Sequence, residues 1–221
     1  MELLVVTLAH TPGSRDVDAL ARIRLIADAV RNAPGMIESR FYRGRGRAPY
    51  YLALTTWDDD ESWHKAQERH NPGQLLLEHC ADLLTASPEQ WPMRYLWGYS
   101  RSTATATVAA AHVATLHPAQ VEATQQEWMR RLRQQSLQST LSFSFLARGT
   151  HEPASSTKTH SSATATEDQD SASPESGILL NLLSWVSESD REEFYAHPGY
   201  QAIHKMVNRA GKMHVLPLEL M

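Results

Sequence analysis

The chain has 221 residues, 42% of them hydrophobic, with 21 Lys and Arg against 25 Asp and Glu and a single cysteine, Cys80. A lone cysteine excludes an intrachain disulfide framework and the paired cysteines of a structural zinc site, which favours a reducing, cytoplasmic setting. Five of the acids and one base lie between Thr150 and Ser176, so the rest is balanced at 20 against 20, which argues against nucleic acid or an acidic membrane as partner.

The opening run Leu3 to Ala9 lacks a basic flank and is too short for a signal peptide or a membrane span, and no later stretch is long enough for either. A helix is expected next, with Asp16 as its N-cap, Leu20, Ile23, Ala27 and Val30 on one face, and Pro34-Gly35 as its stop. A hairpin then turns near Arg43-Gly44. Arg40, Arg43, Arg45 and Arg47 cluster there with few aromatics between them, which suits a solvated turn better than an RNA-binding patch. The return strand Tyr50–Trp57 ends in tryptophan. Asp58-Asp59-Asp60-Glu61 starts a helix that breaks at His70-Asn71-Pro72-Gly73-Gln74 and resumes, and Met93-Arg94-Tyr95-Leu96 is the closing strand.

The same order then recurs. Pro118 starts a helix with Val121, Gln125, Trp128 and Leu132 on one face; Leu141, Phe143 and Phe145 alternate with serines up to Arg148-Gly149. Ile178 to Trp185 repeats the strand that ends in tryptophan, Ser187-Glu188-Ser189-Asp190 the acidic helix start, His197-Pro198-Gly199-Tyr200-Gln201 the break, and Met213-His214-Val215-Leu216 the last strand. Between the strands of the second hairpin, residues 150–176 hold seven Ser and five Thr and no aromatic, Leu, Ile or Val, the composition of a disordered insertion. Each half thus reads β-α-β-β-α-β, a ferredoxin-like unit. The fold class is α+β, with residues 1–101 and 102–221 as two domains. Their open sheet faces close on each other within one chain, a pseudo-dimer whose edge strands leave room for a further homo-dimer.

The strand, tryptophan, acidic helix and His-Pro-Gly arrangement, at about 100 residues per copy, resembles the antibiotic biosynthesis monooxygenase domains of the dimeric α/β-barrel superfamily. The resemblance implies a fused tandem of two such domains. It further implies a small aromatic or polyketide-like substrate that is deprotonated and then reduces dioxygen directly, without a cofactor. Such chemistry needs an apolar pocket, a proton acceptor and donors for an oxyanion.

For the first half, the candidates are His70 as the titratable group, Arg94 as a fixed cation, and Tyr51, Trp57, Trp63 and Trp97 as aromatic walls; the second half offers His112, Asn181, Tyr195, His204 and His214. The first half, with its aromatic strand and Arg94, is the expected pocket. The heme-degrading branch of the superfamily supplies an alternative in which heme is the cofactor and His204 falls on the iron-ligand position. Phe194 and His112 stand where that branch has a tryptophan and an asparagine. A non-catalytic barrel with a stress or regulatory role is the third reading. Structural roles compete throughout: Trp57 and Trp185 as core, His70 and His197 as helix-end groups, His204 as a half-buried side chain, Arg94 as a solvent-facing one. No pair of the eleven histidines has the helical spacing with a nearby carboxylate expected of a metal site.

Overall fold

The structure is a computed structural model that describes residues 2–45, 49–101, 107–136, 140–150 and 177–221. The first half comprises β1 (Leu3–His10), α1 (Asp16–Arg31), β2 (Met36–Gly44), β3 (Tyr50–Trp57), α2 (Asp60–Ala66), α3 (Pro72–Cys80) and β4 (Glu89–Ser100). The second comprises β5 (Val108–Leu116), α4 (Val121–Ser136), β6 (Leu141–Gly149), β7 (Gly177–Trp185), α5 (Glu188–Ala196), α6 (Pro198–Ala210) and β8 (Gly211–Leu220). The eight strands close into an antiparallel barrel in the order β1-β3-β2-β8-β5-β7-β6-β4.

The period-two alternation of the strands sorts their side chains onto two faces. Leu4, Val6 and Leu8 of β1, Leu52 and Leu54 of β3, Ala109, Ala111 and Val113 of β5, and Leu180 and Leu182 of β7 point inward and form one shared core. Their neighbours point outward beneath the helices: Ala9, Tyr51 and Ala53 against α1 and α3, and Leu179, Leu183 and Trp185 against α4 and α6. The tryptophans that end β3 and β7 are both fully buried, as expected of core residues at the strand–helix junction.

The two sheets join along their edges as well as their faces. One seam is long, with β4 pairing with β6 from Met93↔Gly149 to Ser100↔Phe143; the other is short, with β2 meeting β8 only from Tyr42↔Leu220 to Gly44↔Leu218. Barrel closure therefore takes up most of the edge expected to be available to a second molecule. Charge reinforces the short seam: Arg43 ion-pairs with Asp16 of its own half and, at 3.0 Å, with Glu219 of the other, while Arg45 pairs with Glu188 and Glu219. This use of the arginines also corrects the expected role of Asp16. α1 begins at Asp16 itself and has no side-chain cap, because that carboxylate is engaged by Arg43 and by the Tyr51 hydroxyl at 2.9 Å.

Arg148 pairs with Leu179 across the β6–β7 hairpin, which places the Ser/Thr-rich insertion between these strands. The disorder expected for it falls on residues 151–176, outside the described residues. Among the described residues, no helix is long and apolar enough to cross a membrane.

Candidate active site

Each half has a layer between its sheet and its helices, and strand register aligns the two layers. Leu3 faces Trp57 and Thr7 faces Ala53; in the second half Val108 faces Trp185 and His112 faces Asn181. Thr7 is thus the counterpart of His112, and Ala53 of Asn181. The buried faces of the last helices have the same spacing, Gly73, Leu76 and Cys80 on α3 and Tyr200, Ile203 and Val207 on α6. The fold is the same in both halves, but the polar groups in the two layers are not.

In the first half those groups are satisfied. The Thr7 hydroxyl accepts from Gln90 Nε2 at 2.8 Å, and the same amide donates to Asn71, whose side chain caps α3. Trp57 Nε1 donates to Thr55 at 3.0 Å, and its ring packs on Trp63 at 5.2 Å. The hydroxyl of Tyr51, bonded to Asp16, lies in a separate core cluster from the two tryptophans. Burial and the Asp16 carboxylate both push the Tyr51 phenol up, so it stays protonated. His70 is half-buried, with Nδ1 3.2 Å from the Ala29 carbonyl, and Arg94 is exposed opposite Arg148. The expected first-half set of His70, Arg94, Trp63 and Tyr51 does not converge on one space. Trp97 departs from it altogether. A register shift between Tyr95 and Trp97 turns Trp97 onto the core of the second half.

The second-half layer differs. His112 is 1% exposed, its Nε2 lies 3.1 Å from the Tyr200 hydroxyl, and its Nδ1 has no hydrogen-bond partner. Tyr195 meets the His112 ring edge-on at 5.8 Å and stacks on Tyr200 at 4.7 Å; Trp185 closes the back at 5.5 Å from Tyr195. Tyr195 Oη, Trp185 Nε1 and Trp128 Nε1 are buried without partners, as are both amide atoms of Gln135. Among the described residues, every such unpartnered buried side-chain atom except Ser39 Oγ belongs to the second half. A buried polar atom left unpaired costs about 1–3 kcal/mol, so the second-half layer carries a burden that the first-half layer does not. Asn181 is anchored beside His112, its amide donating to the Phe145 carbonyl at 2.7 Å and to Ser144 at 3.2 Å.

Burial dominates the titration of this layer. It pushes the His112 imidazole down to about 3 against the opposing pull of the Asn181 backbone, with the nearby His204 acting in the same direction as burial, so the ring is neutral. Burial also pushes the Tyr200 phenol up to about 12 and raises that of Tyr195. The layer therefore holds a neutral imidazole and two protonated phenols within an aromatic wall. Such groups can accept one proton and donate hydrogen bonds to a developing oxyanion.

His204 stands at the outer edge of this group, half-buried, 6.1 Å from the Tyr200 ring and beside Asn208. A porphyrin ligated by His204 would need a flat slot on the sheet side. Tyr200, Tyr195 and His112 fill that side in mutual ring contact, so heme, like any other ligand of this layer, would have to displace one of these rings. His214, the counterpart strand residue, is exposed. No cluster of three or more His, Cys, Asp or Glu suited to a metal occurs among the described residues.

Three groups at the site were not singled out as candidates from sequence: Tyr200, Trp128 and Gln135. Tyr200 carried a signal, since it follows the His-Pro-Gly break where the first half has only Gln74. Its burial depends on the facing of α6, which residue order does not fix. Trp128 and Gln135 sit on α4, and only the orphaned state of their polar atoms distinguishes them from core.

No family model and no curated protein matches the chain. Solved structures resemble it over nearly its whole length. An anthrone oxidase-like protein superposes with a TM-score of 0.70 at 12% identity, over 100% of this chain and 91% of that one. A candidate monooxygenase from Fusobacterium nucleatum gives 0.66 at 5%, over 99% and 92%. A ferredoxin-fold protein related to antibiotic biosynthesis monooxygenases, from Listeria monocytogenes, gives 0.53 at 10%, over 100% and 96%. The chain has the dimeric α/β-barrel fold of these proteins, built from two ferredoxin-like halves. At such identities the likeness is one of fold.

Proposed function

We propose that the protein is an oxygenase of a small aromatic substrate, that it needs no cofactor, and that its reaction centre is the second-half layer around His112. The asymmetry between the halves carries this reading: where one half has a hydrogen-bonded Thr7 opposite Ala53, the other has His112, whose Nδ1 is unpartnered, opposite an anchored Asn181. The fold shared with an anthrone oxidase-like protein supports the substrate class.

With the imidazole proton on Nε2 and donated to Tyr200, His112 Nδ1 is a lone pair that can accept a proton. A substrate with an acidic ring CH2 or phenol gives up that proton, and the charge left on it raises the basicity of the neighbouring ring. The carbanion gives one electron to dioxygen, and the resulting pair joins in a C–O–O bond. Return of the proton to the outer oxygen, with loss of the remaining C–H, releases water and leaves a carbonyl. One CH2 and one O2 become one C=O and one H2O. Tyr195 Oη is the unpaired donor available to the oxyanion.

The test is oxygen uptake with an anthrone at neutral pH, corrected for autoxidation. One O2 consumed per quinone formed, with the rate falling about 100-fold or more in His112→Ala, is the expected result. Uptake equal to the blank, or unchanged in that variant, refutes the assignment.

A further inference from the structure

The barrel interior is filled along most of its length, but one end is open. β2 runs on from Phe41 to Met36 where β8 has already ended, and the wall there is incomplete. Two cavities meet at the gap. One, of about 460 Å³, occupies the mouth and is lined by Leu4, Leu54, Tyr95, Tyr99, Phe143 and Phe145; the other, of about 650 Å³, runs outward past Ser39, Ser142 and Ser184. Glu38, Arg40, Ser100 and Phe143 border both. These volumes fall within the roughly 300–1,000 Å³ of small-molecule pockets.

The mouth is aromatic for a local reason. The irregularity in β4 between Tyr95 and Trp97 leaves Tyr95 beside Phe145, ring centroids 6.4 Å apart, and Gly98 gives its hydroxyl room. Phe143 and Phe145 meet edge to face at 5.9 Å, so flat apolar walls line the opening. The polar side is built around Arg40. Arg40 lies over Phe143 at 5.1 Å and is steadied by Glu38 at 2.7 Å through Nε, with other N–H groups to spare on a five-donor guanidinium. Ser39 Oγ, on the outer cavity, is the first-half buried side-chain atom without a partner. A cationic ligand meets a site already taken, since Arg40 covers the Phe143 face and holds Glu38. Glu2 also borders the mouth, and Arg40 is the one cation among the residues that line it.

We propose that this open end is a second small-molecule site, separate from the His112 layer, and that it binds a planar aromatic compound carrying an acceptor oxygen, a carboxylate or carbonyl, at one edge. The rings lie among Tyr95, Tyr99, Phe143 and Phe145, and the oxygen meets Arg40. The proposal stands whether or not the oxygenase reading does.

The probe is 2-naphthoate, titrated calorimetrically into the full chain, with 2-naphthylmethylammonium as the cationic counterpart. Saturable binding of the carboxylate, about tenfold or more tighter than the ammonium, is expected; Arg40→Gln abolishes that preference, and His112→Ala preserves it. Should Arg40→Gln lose its far-ultraviolet circular dichroism, Tyr95→Ser, at a side chain 57% exposed, tests the aromatic wall instead and weakens binding by a similar factor. Absence of saturable binding, tighter binding of the ammonium, affinity untouched by the folded variants, or loss in His112→Ala overturns it.

Discussion

Tyr200 and His112 lie on different layers, one on α6 and the other on β5, and the polar atoms of these two buried side chains meet at 3.1 Å. The phenol fixes which imidazole nitrogen is free to act. Tyr200→Phe keeps the ring contacts and removes the oxygen, leaving both nitrogens of His112 without partners. The stability loss is expected at about 1–3 kcal/mol by urea unfolding, with a larger fall in kcat than in stability-matched core variants. A variant as active as the parent would show that the phenol only fills space.

The buried imidazole makes stability depend on pH. Its folded value is about 3 against an ordinary 6.5, so between these limits the unfolded chain holds a proton that the folded chain refuses. Stability from this group is complete above about 6.5 and is lost as the pH falls, by up to about 1.4 kcal/mol per unit. The gap between wild type and His112→Asn, measured by urea unfolding, is expected to narrow by as much as about 2 kcal/mol from pH 7 to pH 5. A gap independent of pH would mean that His112 titrates normally.

Strand spacing at the start of β8 is set by the missing side chain of Gly211. A Cβ there would stand 2.1 Å from the Thr115 carbonyl oxygen and 2.7 Å from Leu116 Cα, both backbone atoms that cannot swing aside. Gly211→Ala is therefore expected to push β8 off β5 and to destabilise the fold by about 1–3 kcal/mol or more, read from the urea midpoint. Gly149→Ala, whose nearest neighbour is an Ile178 side chain at 3.4 Å, serves as the tolerated control.

The fold was legible because it is written twice. Trp57 and Trp185, their acidic helix starts and the following Pro-Gly breaks fix the order of elements, and alternating strands dictate a buried face on each side. The closing seams were less so, since the Arg43–Glu219 pair joins residues far apart in the chain. The proposed centre was less legible still. Arg94 and the aromatic β3 offered more polar handles than the aliphatic β7, and the proposal of a second-half centre rests instead on which buried polar atoms lack partners. Thr7 differs from His112 mainly because Gln90 reaches it, and no residue pattern shows that.

The two halves depend on each other through their sheets. Residues 1–101 alone would bare the β2 and β4 edges together with Leu4, Val6, Leu8, Leu52 and Leu54, all covered in the barrel. This fragment is expected to pair with itself, rebuilding a barrel from two copies, or to precipitate, as judged by light scattering after size exclusion. A stable folded monomer would show that the first half needs no partner.

The β6–β7 hairpin makes the opposite case for residues 151–176. β6 and β7 pair in register up to Arg148↔Leu179, and Thr150 N donates to the Pro92 carbonyl at 2.9 Å, so the strands are aligned independently of what joins them. The segment offers no Leu, Ile, Val or aromatic side chain to a core. Replacing it with a four-residue Gly- and Asn-containing turn shortens the loop to be closed and is expected to leave the melting temperature equal or higher, with the 2-naphthoate affinity unchanged. A drop of more than a few degrees would mean that the segment contributes contacts its composition does not advertise.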